Sequence, residues 1–302
     1  MVFLRDENGD LRFPFSVFWN LDQGRLRAGF RILIGFILLF VLAGIGNQLR
    51  FTPLAGEGSL IQSVNMLFYQ LPNAMGILLA SVISVYVLDK RGIRELGLKI
   101  RGKWLENLGK GVLIGATITG FSILTGLLTG FYQFQGFNQI SAFWPVFLIA
   151  GALYQLLYIF PEELFVRGYI ITNTLEGFEG FSKVSRHFAC GFAVLLSSLI
   201  FYFFHAIAKG WKFGLLVAGL SILLGITYIL SEELSLPIGI HFGYNITGVL
   251  LGTNTQPASI LQITSTSSID QSTALPIEAL LTRLLATAAI TLAIIWVYKK
   301  RN

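Results

Sequence analysis

Phe160-Pro161-Glu162-Glu163-Leu164-Phe165-Val166-Arg167 sets two adjacent carboxylates and an arginine inside a run, Phe143 to Ile171, that is otherwise uncharged and dominated by apolar side chains. About 20 mostly apolar residues are enough to cross a bilayer as a helix. Charged groups at membrane depth cost several kcal/mol each unless paired or hydrated, which makes them functional-site candidates by default. The competing reading is a buried ion pair that locks two helices together.

The rest of the chain shares this character. Of its 302 residues 54% are hydrophobic and 13% charged, and the mean hydropathy is +0.69. A soluble domain carries about 25% charged residues, so the composition is that of a polytopic membrane protein. The net charge of +6 then concerns orientation rather than nucleic acid, because Lys and Arg gather in cytoplasmic loops. A single cysteine, Cys190, excludes an internal disulfide. The first 28 residues lack a basic start followed by a short apolar stretch, so no cleaved leader is expected.

Working outward, apolar segments at about 30–49, 71–88, 111–131, 142–172, 188–208, 213–230, 237–251 and 277–298 predict eight spans. The expected fold is an all-α transmembrane helical bundle over 29–302, preceded by an N-terminal cytoplasmic segment, 1–28. The fourth span is too long for a straight crossing. Pro161 removes a backbone donor in its interior, so a kink is expected there. The stretch from Asp89 to Lys110 reads as a basic loop, and the Ser/Thr/Gln-rich stretch from Gly252 to Ala274 as an exposed one. Eight spans put both termini and most basic residues on one side, which the positive-inside rule assigns to the cytoplasm; Lys209 and Lys212 fall on the other. The expected location is the plasma membrane of a prokaryote.

Ionisable groups inside the apolar spans are few. Glu162 and Glu163 are the glutamates well inside one, and His205 and His241 the histidines. His205 follows Phe201 at i+4, Asn245 follows His241 at i+4, and Arg167 follows Glu163 at i+4, spacings that share a helix face. A desolvated carboxylate with an imidazole beside it can activate water. A second imidazole and an amide can donate to a developing oxyanion. Arg167 could fix Glu163 and leave Glu162 free for proton transfer. Glu162, His205 and His241 could equally ligate a divalent metal such as zinc. Taken singly, each of these pairs has a structural reading at least as common as the functional one.

Glu162-Glu163-x-x-x-Arg167, Phe201-x-x-x-His205 and His241-x-x-x-Asn245 resemble, in order, the three motifs of the CPBP family, the CAAX-processing and bacteriocin-immunity (Abi-like) intramembrane proteases. The resemblance covers about Ser141 to Leu251, the fourth to seventh spans. It implies hydrolysis of a peptide bond of a membrane-associated substrate within the membrane, a prenylated CAAX-like chain being one candidate, and it implies the protease fold more strongly than CAAX cleavage. Glu162 and His205 would activate the water, His241 and Asn245 would form the oxyanion hole, and Glu163, Arg167 and Phe201 would support them. Metal-dependent and metal-free mechanisms both stay open for the family. Its immunity and scaffolding members keep a non-catalytic interaction protein as the alternative, and a proton- or cation-coupled transporter built on Glu162 and Glu163 is the third reading.

Rival chemistries fit poorly: the chain has no His-Glu-x-x-His and no Gly-x-Ser-x-Gly, and no aspartate lies within a predicted span. One difficulty is geometric. His205 lies about four residues before the end of its predicted span and His241 about four after the start of its own. One complete crossing separates them, which leaves roughly 15–20 Å between their depths at 1.5 Å per residue.

Overall fold

The computed structural model describes residues 15–21, 23–49, 51, 53–56, 58–100, 102–179, 181, 183–253, 256–265 and 277–301. Half of the 1–28 segment and the polar stretch 266–276 lie outside them. A four-residue helix, α1 (Phe15–Phe18), leads into a small antiparallel pair, β1 (Trp19–Asn20) and β2 (Arg25–Leu26). The bundle comprises α2 (Ala28–Gln48), α3 (Ser59–Ile83), α4 (Gly102–Leu128), α5 (Trp144–Glu163), α6 (Thr172–Glu179), α7 (Arg186–Lys209), α8 (Trp211–Ser231), α9 (Ser235–Leu250) and α10 (Ile277–Arg301). A π-wound turn, Ser84–Leu88, extends α3, and a π-wound run, Leu164–Ile171, joins α5 to α6.

Among the described residues seven helical stretches are long and apolar enough to cross a membrane: Ala28–Gln48, Ser59–Leu88, Gly102–Leu128, Trp144–Glu179, Arg186–Lys209, Trp211–Ser231 and Leu280–Lys300. The eighth helix of the bundle, α9, has 16 residues, about 24 Å, and falls short of a hydrocarbon core of about 30 Å. It has little need of lipid, because neighbouring helices cover most of its surface. The chain is an integral membrane protein.

Several boundaries differ from those expected. The second span begins at Ser59 rather than Leu71, since helix α3 tolerates both its polar first turns and the internal Pro72. The basic loop is shorter, because α4 starts at Gly102 and carries Lys103 and Lys110 on its first turns. The expected exposed loop after α9 is partly structured: Leu261–Ser265 (β4) pairs antiparallel with Tyr132–Phe137 (β3), and Ala258 and Ser259 are buried. That pairing joins segments far apart in the chain, with none of the local turn chemistry that marks a hairpin.

Two packing devices position the centre of the bundle. The first is a small-residue seam. A Cβ on Gly111 or Gly115 of α4 would run into the Leu236 or Ile240 carbonyl of α9, and one on Gly239 or Gly243 would run into the Leu108 or Val112 carbonyl of α4. Two Gly-x-x-x-Gly faces therefore let the backbones touch, the usual way helices pack closely in lipid. The second is a cover over the α8–α9 turn. Leu96 is fully buried, and Gly97, in the left-handed region at φ 88°, accepts a hydrogen bond from Leu234 N–H at 3.1 Å. The α8–α9 turn is therefore packed against the Ile93–Gly97 segment.

Candidate active site

Pro161 has no N–H to give its helix, and the winding changes to π from Leu164, every residue of Leu164–Ile171 being buried. Such π segments are rare and recur at functional sites. Their effect here is to carry a charged pair into the densest part of the core. Arg167 Nη1 donates to Glu163 Oε1 at 3.0 Å, Nη2 donates to Ser221 Oγ of α8 at 2.8 Å, and the guanidinium lies 4.5 Å over the Phe201 ring. Glu163 and Arg167 are both fully buried.

The seam between α4 and α9 delivers His241, which lies between Gly239 and Gly243. Its Nδ1 is 2.8 Å from Glu163 Oε1. An ionised carboxylate only accepts, so Nδ1–H donates and the second ring nitrogen, Nε2, is left free. One turn on, Asn245 Nδ2 donates to Gln155 Oε1 at 3.2 Å. His205, on α7, has its Nδ1 2.8 Å from the Phe201 carbonyl. A carbonyl cannot donate, so this imidazole also presents Nε2. The Phe201 ring lies 4.6 Å from that of His205 and 6.0 Å from that of His241.

Glu163, Arg167, His241 and Phe201 are thus in direct contact, and His205 joins them through Phe201. The Phe201 ring lies within 6.0 Å of both imidazoles, so the two rings are closer together than the roughly 15–20 Å counted along the chain. Glu162 is half-buried at the edge of the cluster; among the described residues it accepts no hydrogen bond and forms no ion pair. Glu163 Oε2 and Arg167 Nε are buried without partners.

Sequence reasoning missed Gln155 and Ser221, neutral polar residues within apolar runs that carry no charge to mark them. It also missed a second buried ion network. Arg31 Nη1 donates to Asp89 Oδ1 at 2.7 Å and Arg31 Nη2 to Glu176 Oε1 at 2.6 Å. Arg25 binds Glu176 Oε1 at 2.9 Å, Arg91 pairs with Glu176 Oε2, and Asn173 Nδ2 donates to Asp89 Oδ2 at 2.7 Å. Asp89 stands just past the end of its span, where burial pushes its carboxyl up from the usual range against the opposing pull of Asn173, Arg31 and Arg91.

Among the described residues no three His, Cys, Asp or Glu side chains are grouped so as to hold a metal ion. Glu162, His205 and His241 do not form such a set. Ser197 and Ser198, which precede His205 on α7, both donate to the Val194 carbonyl, at 2.9 and 2.8 Å.

The family model described as Type II CAAX prenyl endopeptidase Rce1-like matches residues 143–247, roughly a third of the 302-residue chain. That segment runs from the start of α5 to the middle of α9 and contains all three motifs. No curated protein and no solved structure matches the chain.

Proposed function

From a core, residues 143–247, that belongs to the CPBP/CAAX protease family, we propose that this protein is an intramembrane endopeptidase. It cleaves a peptide bond of a membrane-anchored substrate, with a prenylated CAAX-like chain as the class the family description points to. One observation carries the reading: Arg167 and His241 both engage Glu163, which leaves the adjacent Glu162 as an unpaired carboxylate.

In this mechanism Glu162 accepts a proton from a water molecule while His205 Nε2 accepts the water's other hydrogen and orients its oxygen. The oxygen adds to the scissile carbonyl carbon. The oxyanion so formed takes hydrogen bonds from Asn245 Nδ2 and His241 Nε2, donors held in place before the charge develops. With Nδ1–H committed to Glu163, donation from Nε2 requires the doubly protonated ring, whose charge offsets the second carboxylate of the Glu162–Glu163 pair. Collapse of the tetrahedral intermediate breaks the C–N bond, and Glu162 returns the proton to the leaving amine. Glu163 and Arg167 position His241 and remain outside the proton transfers.

The test is cleavage of prenylated and unprenylated membrane-anchored fluorogenic peptides in liposomes by the wild-type protein, Glu162→Gln and His205→Ala. Loss of cleavage in both variants is expected, and equal cleavage by all three proteins overturns the reading.

A further inference from the structure

Gln155 is the one neutral amide in the run from Phe143 to Ile171, it is buried, and its Oε1 accepts from Asn245 Nδ2. It shares a face of α5 with Glu163, two turns away, while its partner shares a face of α9 with His241, one turn away. Two polar bonds therefore tie α5 to α9, Glu163 to His241 and Gln155 to Asn245. We propose that Gln155 is a positioning residue, one that fixes the side-chain amide of Asn245 so that its second N–H, and not its carbonyl oxygen, faces the reacting group.

The physical need is specific to an asparagine. Its amide carries a donor nitrogen and an acceptor oxygen of nearly equal shape, and only the surrounding hydrogen bonds decide which way it points. An oxyanion is stabilised by the first orientation and repelled by the second. With Gln155 turned as it is here, Oε1 toward Nδ2, the contact selects the first, and a carboxylate at 155 would enforce it. The contact also uses just one of the two Nδ2 hydrogens, which leaves the other for the substrate. An apolar residue at 155 would fill the space and leave the amide free to turn.

The inference rests on the proteolytic reading, and its experiment separates the two. Initial rates on the same liposome peptides are measured for the wild type, Glu162→Gln, Gln155→Leu, Gln155→Glu, Asn245→Leu and the Gln155→Leu/Asn245→Leu double variant. Gln155→Leu should lower kcat roughly 10-fold or more, the scale on which misplaced reacting groups slow an enzyme, with KM unchanged. Gln155→Glu, which offers an acceptor oxygen in either protonation state, should recover kcat to within about threefold of wild type, since the hydrogen bond to Nδ2 survives. Because Gln155 acts through Asn245, the double variant should be no slower than Asn245→Leu alone. Wild-type kcat in Gln155→Leu, or a further loss in the double variant, overturns the positioning role while leaving the proteolytic reading intact. Wild-type cleavage no faster than that of Glu162→Gln overturns the proteolytic reading and the inference with it. Should Gln155→Leu fail to fold, Gln155→Glu decides, and a rate equal to that of Asn245→Leu refutes the proposal.

Discussion

Two buried ion networks hold this bundle together, and they differ in how their acceptors are used. Around Arg31, both oxygens of Asp89 and both of Glu176 are engaged, by Arg31, Asn173, Arg25 and Arg91. Around Arg167, only one oxygen of Glu163 is engaged, by two donors at once, and Glu162 is left open. Removing a carboxylate from water carries a penalty that is recovered only when its lone pairs find donors. The Arg31 network engages every oxygen of its two carboxylates, as a structural clamp does, although Asn173 Oδ1 and Arg31 Nε are left without partners. It ties the chain before α2, α2 itself, the end of α3 and α6 to one another. The Arg167 cluster leaves one carboxylate oxygen of Glu163 unspent in the core and a whole carboxylate, Glu162, unpaired at its edge, an arrangement that suits a reaction needing a free base.

The sharpest way to break this comparison is to exchange the two kinds of damage. Glu162→Gln removes a carboxylate with no partner, so cleavage should fall about 10²- to 10⁴-fold, the range of a lost general base, with the unfolding midpoint in detergent nearly unchanged. Arg31→Ala strands Asp89, and the penalty for breaking a buried pair is about 3–5 kcal/mol. Its unfolding midpoint should drop steeply while kcat per folded molecule is retained. If Glu162→Gln unfolds the protein, or if Arg31→Ala abolishes cleavage in molecules that remain folded, the two regions are not the separate devices described above.

A smaller effect should come from the seam that carries His241. Gly243→Val would place side-chain atoms against the Val112 backbone, and overpacking of this kind costs about 1–3 kcal/mol. The strain should push α9 away from α4 and turn His241 off Glu163. A loss of cleavage larger than the loss of stability is therefore expected from paired activity and thermal-unfolding measurements. Unchanged cleavage in a destabilised variant would show that the register of α9 does not set the site.

The sequence carried the membrane class, the helical architecture and the segment to which the family model matches, because hydropathy and i+4 spacing act along a single helix. What it hid were contacts between helices. Asp89 and Glu176 lie beyond or near helix ends and read as ordinary loop and flank charges; only tertiary folding brings them to Arg31. The β3–β4 pair joins residues more than a hundred positions apart, with no local signal at either. The Gly111-x-x-x-Gly115 and Gly239-x-x-x-Gly243 spacings were visible and would have predicted the α4–α9 seam. Gln155 was equally visible as a polar residue in an apolar run, but nothing in its own span says that Asn245 is its partner.

Phe201 stands where the comparison is most delicate, since it is apolar and yet meets the guanidinium and both imidazoles of the Arg167 cluster. Its ring carries the guanidinium on one face and meets both imidazoles. A desolvated cation–π contact is worth up to about 2 kcal/mol, so Phe201→Leu should cost about 1–2 kcal/mol of stability on that count alone. If the ring is only filler, kcat should stay level while stability falls. If it sets the spacing between His205 and His241, a leucine that fills much of the volume but offers no ring edge should let both imidazoles drift, and kcat should fall several-fold with KM unchanged. The second outcome is expected under the proposed mechanism, which needs a water between Glu162 and His205 to meet a carbonyl whose oxygen faces His241 and Asn245, because Phe201 is a contact shared by the two imidazoles.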